Sequence, residues 1–293
     1  MDITNCKLCP RECGVNRLEG TTGFCGAGKD AKIGLYSLHM WEEPCISGTS
    51  GSGTVFFSHC TMKCVFCQNY DISSLHHGET VSTDELSDIF LELQEKGANN
   101  INLVTPTHYL FSIIPALEKA KINGLKIPVL YNTSGYEKVE TLKELDGLID
   151  IYMPDFKYWR EEFAKDYSSA PDYPEIVKSA IAEMYRQTGK NKFQGSLMTK
   201  GVLVRHLLLP GHLYDAKKII DYLYETYKDN IYISLMSQYT PLSHVAHIDK
   251  LNRKVGEKEY TALCDYAASI GIKNAFVQEG EAAIESFIPK FYK

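Results

Sequence analysis

Cys60-Thr-Met-Lys-Cys64-Val-Phe-Cys67 puts three cysteines within eight residues, just after the apolar run Val55-Phe56-Phe57. Such a run reads as a buried strand, so the thiols sit on the loop at its carboxyl end. Three thiolates this close can hold three irons of a 4Fe–4S cube and leave the fourth open to a small molecule. Ferredoxin clusters use four cysteines and structural zinc sites use two separated CxxC pairs. Neither fits CxxxCxxC with no fourth cysteine nearby. Three thiols on a zinc or redox loop are the plainer alternative, and the context of the motif has to decide.

A chain of 293 residues has room for one large α/β domain and a small appendage. There is no run of eighteen apolar residues and no apolar amino-terminal segment, so neither a membrane span nor a secretory signal is expected, and the expected location is cytoplasmic. Of nine cysteines, four cluster near the start, three form the central motif, and Cys45 and Cys264 stand alone. Without an export signal the clusters read as metal sites and the two single cysteines as small packing residues. A net charge of −6 with no basic stripe argues against nucleic-acid binding.

Residues 1–52 are expected to be a Cys-rich metal-binding extension and a loop. Cys6, Cys9, Cys13 and Cys25 lie in a segment too poor in large apolar residues to bury a core, so a metal would organise it. Zinc and a second, auxiliary iron–sulfur cluster suit the four thiols equally. In Trp41-Glu42-Glu43-Pro44-Cys45 the two glutamates are expected to be solvated, and Ser47–Gly53 reads as a loop feeding the first strand.

Residues 53–280 alternate strands and helices, which calls for a parallel sheet with covered faces. Strands are expected at 53–57, 101–104, 127–131, 149–153, 202–208 and 231–236, with a possible seventh at 275–278. Ser82-Thr-Asp-Glu85 is a capping box opening a helix whose Leu86, Ile89, Phe90 and Leu93 share one face. Residues 158–173 read as an irregular insert, and 281–293 as a carboxyl-terminal tail. The strand ends carry Thr105-Pro-Thr107-His108, Asn132-Thr-Ser134-Gly135, Asp155-Phe-Lys157 and Ser237-Gln238, on the face that bears the cysteines. Asp155 and Lys157 share one side of a strand and suit a cation and an anion respectively; a plain salt bridge is the alternative.

The CxxxCxxC loop, with aromatic Phe66 between its last two cysteines, resembles that of the radical S-adenosylmethionine (SAM) superfamily. Together with Asn132-Thr-Ser-Gly135, Asp155-Phe-Lys157 and Arg205 with Pro210-Gly211, it resembles the branch related to pyruvate formate-lyase-activating enzyme. Cys6-Lys-Leu-Cys9-Pro-Arg-Glu-Cys13-Gly and Trp41-Glu-Glu-Pro-Cys45-Ile-Ser-Gly48 extend that likeness over nearly the whole chain.

The resemblance implies a partial (β/α)6 TIM-like barrel and reductive cleavage of SAM to methionine and a 5′-deoxyadenosyl radical, which takes hydrogen from a substrate that the sequence does not identify. It implies a 4Fe–4S cluster on Cys60, Cys64 and Cys67, and reduced flavodoxin or ferredoxin as electron donor. It assigns Phe66 to the adenine, Asn132 and Ser134 to sugar or methionine, Asp155 and Lys157 to the cofactor, and Gln238 to the place of a cofactor-binding histidine. Thr105 and Thr107 stand where that branch has a glycine-glycine-glutamate stretch for the methionine amino group. The alternatives are a glycyl-radical enzyme activating enzyme and, from another class, an iron–sulfur electron-transfer protein.

Overall fold

The computed structural model describes residues 1–278 and 291–292. The expected tail at 281–293 therefore lies outside the described residues, except for 291 and 292. The strands are β1 (Ala31–His39), β2 (Ser52–Phe57), β3 (Glu79–Val81), β4 (Ile101–Val104), β5 (Val129–Thr133), β6 (Ile151–Pro154), β7 (Lys192–Gln194), β8 (Leu197–Leu207), β9 (Tyr232–Met236) and β10 (Ala275–Val277). The helices are α1 (Pro44–Ser47), α2 (Tyr70–Ser73), α3 (Thr83–Glu95), α4 (Leu110–Ile122), α5 (Val139–Lys143), α6 (Glu161–Ser168), α7 (Tyr173–Thr188), α8 (Leu213–Tyr227) and α9 (Glu257–Ser269).

The sheet runs β10-β9-β8-β6-β5-β4-β2-β1-β3. From β2 to β10 the neighbours are parallel, while β1 joins β2 and β3 antiparallel. This is the α/β fold of a partial TIM-like barrel, with the six expected parallel strands and β10 as the seventh. Helix α3 begins where the capping box lies: Ser82 Oγ accepts from the Glu85 amide at 3.2 Å, and Glu85 Oε2 accepts from the Ser82 amide at 2.8 Å. Its buried face of Leu86, Ile89, Phe90 and Leu93 packs under the sheet, each side chain contributing about 2 kcal/mol by leaving water.

Two segments depart from expectation. The stretch 31–39 is strand β1, hydrogen-bonded along β2, so the barrel's sheet reaches back into the segment taken as extension and loop. The insert at 158–173 contains helix α6, whose Phe163, Ala164 and Tyr167 are buried. Its Tyr, Ser and Asp content masks an amphipathic helix only eight residues long.

Strand alternation splits the interior into two regions. Val55, Phe57, Leu103, Tyr131, Tyr152 and Val204 belong to the core beneath the helices. Leu130, Ile151, Met153 and Leu203 face the other way, into the barrel, where they pack with Cys45 and Ile46 of α1. The N-terminal mouth of the barrel is thereby plugged. Asn100 Nδ2 and Asn99 Nδ2, just before β4, hold the plug by the Ile46 and Ser47 carbonyls at 2.9 and 2.6 Å.

Candidate functional site

The cysteine loop leaves β2 through two strained residues, His59 at φ +71° and Lys63 at φ +50°, both non-glycine in the left-handed region. Cys64 is buried, and Cys60 and Cys67 are half-buried. Each sulfur accepts a hydrogen bond: Cys60 from the Met62 amide at 3.3 Å, Cys67 from Ser73 Oγ at 3.4 Å, and Cys64 from Ser168 Oγ at 3.0 Å. Because Ser168 donates to sulfur, its oxygen accepts from Tyr158 OH at 2.7 Å. Burial, reinforced by the neighbouring Cys64 and Cys67 thiolates, pushes the Cys60 thiol up to about 12. A bound cationic iron centre offsets this cost of gathering thiolates, and donors aimed at sulfur suit a thiolate-ligated cluster. The donor set therefore fits a 4Fe–4S cluster. Among the described residues, no three His, Cys, Asp or Glu side chains are grouped to hold a single metal ion.

Next to this loop is a linked set of charges. Asp155 Oδ2 meets Lys157 Nζ at 2.6 Å, and Asp155 Oδ1 meets Arg205 Nε at 3.0 Å. Arg205 Nη2 donates to Asn132 Oδ1 at 2.7 Å, and Arg205 Nη1 lies 3.4 Å from Glu42 Oε2. Burial opposes ionisation of Asp155, but Arg205 and Lys157 outweigh it and hold the carboxyl below its usual range. Burial likewise opposes the charge on Lys157, and Asp155 and Cys64 outweigh it. Lys157 also acts on Cys67. The ammonium therefore stands within electrostatic reach of two of the three thiols.

Gly135 lets this arrangement form. At φ +79° it sits against the Asp155 carbonyl, and a Cβ there would overlap that oxygen and come within 2.7 Å of Val177 Cγ2. Gly135→Ala is expected to cost about 3 kcal/mol through left-handed strain and overpacking, read as a lowered denaturant midpoint with unchanged slope.

Glu42 and Glu43 correct the expectation that they are solvated. Pro44 opens α1 as the plug, and the plug carries both carboxylates up into the barrel. The Glu42 side chain is only 9% exposed, and its Oε1 accepts from Asn102 Nδ2 at 2.9 Å. Glu43 Oε1 accepts from Ser234 Oγ at 2.7 Å, and burial raises its carboxyl despite that bond. Asn102, Asn132, Arg205 and Ser234 thus form a polar layer across the barrel, and Asn102 Oδ1 is buried there with no protein partner. The signal for this layer was in the sequence, as single polar residues inside otherwise apolar strands.

The other expected site residues fall as follows. Phe66 is buried edge-on to Tyr158, Tyr167 and Tyr239, with centroids 6.0–6.5 Å apart. Ser134 Oγ accepts from the Tyr136 amide at 3.4 Å. Gln238 is tied to the cysteine loop, its carbonyl accepting from Gln68 Nε2 at 2.9 Å. Thr105, at φ +57°, donates its amide to the Asn132 carbonyl at 2.8 Å. Thr107 is drawn away from the ring: its hydroxyl donates to Glu137 Oε1 at 2.5 Å. His76 stacks on His59 with centroids 4.0 Å apart.

Glu137 is fully buried and takes hydrogen bonds from Thr107, Thr133 and Tyr131. Burial lifts its carboxyl to about 7 against those three donors. A raised carboxyl means that the folded state holds the proton more tightly than the unfolded state. Its stabilisation is fully present below about pH 4.3 and is lost as pH rises toward 7, a change of about 3 kcal/mol. Glu137→Gln is expected to flatten that part of the stability–pH curve, measured by denaturation at pH 5 and pH 7.5.

The radical SAM superfamily pattern matches residues 54–223, from β2 through most of α8. The chain belongs to the radical SAM superfamily. It is 32% identical over 267 residues to an uncharacterized protein of Methanocaldococcus jannaschii, covering 87% of this chain and 72% of that one. The fold is similar to that of Streptococcus suis SuiB bound to precursor peptide SuiA, with a TM-score of 0.52 and 16% identity over 75% of this chain. The chain spans about half of SuiB, 46% of its length, and the likeness is one of fold. Superfamily membership brings with it a 4Fe–4S cluster, SAM as cosubstrate, and a need for a reductant. Among the described residues, no helix is long and apolar enough to cross a membrane.

Proposed function

We propose that Cys60, Cys64 and Cys67 hold the cluster, and that SAM lies against Asp155, Lys157, Asn132 and Ser134, with Arg205 fixing the Asp155 and Asn132 side chains. The observation that carries this reading is the position of the Lys157 ammonium, paired with Asp155 and within reach of Cys64 and Cys67. An anion-binding group beside the cluster loop is what the methionine carboxylate of an iron-bound SAM requires. The cluster, when bound, supplies the electron that cleaves the sulfonium. The protein's share is placement: Asp155 accepts from ribose hydroxyls, Phe66 and Gln238 border the adenosine, and Thr105 takes the amino group. Thr107 is left out because its hydroxyl is committed to Glu137.

The substrate sits on the barrel side of the ring, where the 5′ radical takes a hydrogen atom from it. Glu42, Glu43 and the unpartnered Asn102 Oδ1 favour a compact substrate rich in hydrogen-bond donors. The plug at α1 leaves the C-terminal face as its entrance. Lys157→Ala is expected to weaken SAM binding about 10- to 100-fold, the worth of one charged hydrogen bond. Equilibrium binding to the anaerobically reconstituted protein checks this, and unchanged affinity would remove Lys157 from the site.

A further inference from the structure

We propose that Cys6, Cys9, Cys13 and Cys25 hold a second, closed iron–sulfur cluster, wired to the radical-generating cluster through His59. This rests on the reading above that Cys60 is a ligand of that cluster.

The four cysteines lie on one small folded segment, with Cys6, Cys9 and Cys25 buried and Cys13 exposed. Backbone turns hold the group: the Cys6 amide donates to the Val15 carbonyl at 3.0 Å, and the Gly14 amide to the Cys6 carbonyl at 2.9 Å. Donors converge on sulfur here as they do on the central loop. The Phe24 amide meets Cys13 Sγ at 3.3 Å, and Arg17 Nη2 lies 3.8 Å from Cys25 Sγ. Gly23 packs so closely on Cys13 that a Cβ would come within 2.6 Å of its sulfur. One zinc ion would draw four sulfurs to about 3.8 Å from one another. Among the described residues neither this set nor Cys60, Cys64 and Cys67 is grouped to hold a single metal ion, and the likeness of the two sets assigns the amino-terminal thiols the same kind of cluster.

The module is bolted to the radical site. Arg11, between Cys9 and Cys13, donates to the Thr61 carbonyl at 3.1 Å and to the Ser169 and Ser168 carbonyls at 2.5 and 3.0 Å. It thus caps α6, whose Ser168 donates to Cys64. The second link is the electronic one. His59 Nδ1 lies 3.3 Å from the Cys25 carbonyl, which can only accept, so Nδ1 carries the proton. His59 is bonded directly to Cys60. The path from Cys25 to Cys60 therefore crosses one hydrogen bond and is otherwise covalent. Gly26, at φ +81°, keeps the way clear: a Cβ there would come within 3.1 Å of both His59 and His76.

The redox step balances with one donor. A reduced one-electron protein carrier loses an electron to the amino-terminal cluster, and the electron passes along this path to the SAM-binding cluster. It is consumed when the sulfur–C5′ bond breaks: methionine keeps the sulfur lone pair and C5′ keeps the unpaired electron.

Iron, sulfide and zinc counts on the anaerobically reconstituted full chain test the site first. About eight irons and no zinc are expected in the wild type, and about four in Cys9→Ser/Cys13→Ser. One zinc with four irons in the wild type overturns the proposal, whether or not the double variant folds. His59→Gly tests the path, since glycine tolerates the left-handed backbone at φ +71° and has no side chain to donate to the Cys25 carbonyl. Its iron count should match the wild type. Its ratio of SAM cleavage driven by reduced flavodoxin to that driven by dithionite should fall about tenfold, and an unchanged ratio overturns the path. Dithionite-driven cleavage by the wild type tests the underlying radical reading separately.

Discussion

Cys64→Ala is expected to abolish 5′-deoxyadenosine formation, by at least about a thousandfold, or roughly 4 kcal/mol in the barrier. Cys64 is the buried member of the three, and its sulfur is the one Ser168 and Tyr158 address through a hydrogen-bonded relay. Its loss leaves two thiols, too few to hold a cube with one open iron, so iron content at this loop should fall with activity. Removing one small side chain next to Ser168 leaves the fold in place, and the far-ultraviolet circular dichroism should be unchanged. Cys264→Ala, on α9 and far from the loop in sequence, is the matching control and should retain both iron and activity.

Asp155→Ala is expected to have the second-largest effect, on stability and SAM affinity together. The carboxylate lies between Lys157 and Arg205, and all three side chains are only 15–17% exposed. Deleting it leaves two cations facing each other with water largely shut out, at a cost of about 3 kcal/mol. SAM affinity should fall by more than in Lys157→Ala, because the variant also frees Arg205 and, through it, Asn132. The pH dependence gives a second check. Asp155 is held below the usual carboxyl range, so its contribution is present above about pH 3.9 and is lost as pH falls through its folded value. Asp155→Asn should therefore reduce the acid-induced loss of stability.

Much of this was legible in the sequence because it depends on local spacing. The βα alternation, the capping box at Ser82 and the CxxxCxxC loop are short-range patterns, and each stands at its expected place. Asp155 and Lys157 could be paired from period-two spacing alone. Their third partner, Arg205, could not, because it is 50 residues away and meets them only once β6 and β8 lie side by side.

Glu42 and Glu43 were misread for a related reason. Two adjacent glutamates before a proline ordinarily mark a solvated turn; here the apolar Cys45-Ile46 pair beside them fills the barrel mouth and carries them inward. Ser168 and Arg11 left no local signal, since their partners on the cysteine loop and at the end of α6 are far away in sequence.

The most direct test of the radical reading is to reduce the anaerobically reconstituted wild-type protein, add SAM, and measure 5′-deoxyadenosine beside Cys64→Ala. The account predicts slow formation in the wild type, a change in the spectrum of the reduced cluster on adding SAM, and neither in the variant. A fully loaded cluster whose spectrum ignores SAM and which yields no 5′-deoxyadenosine would contradict it and point to an electron carrier.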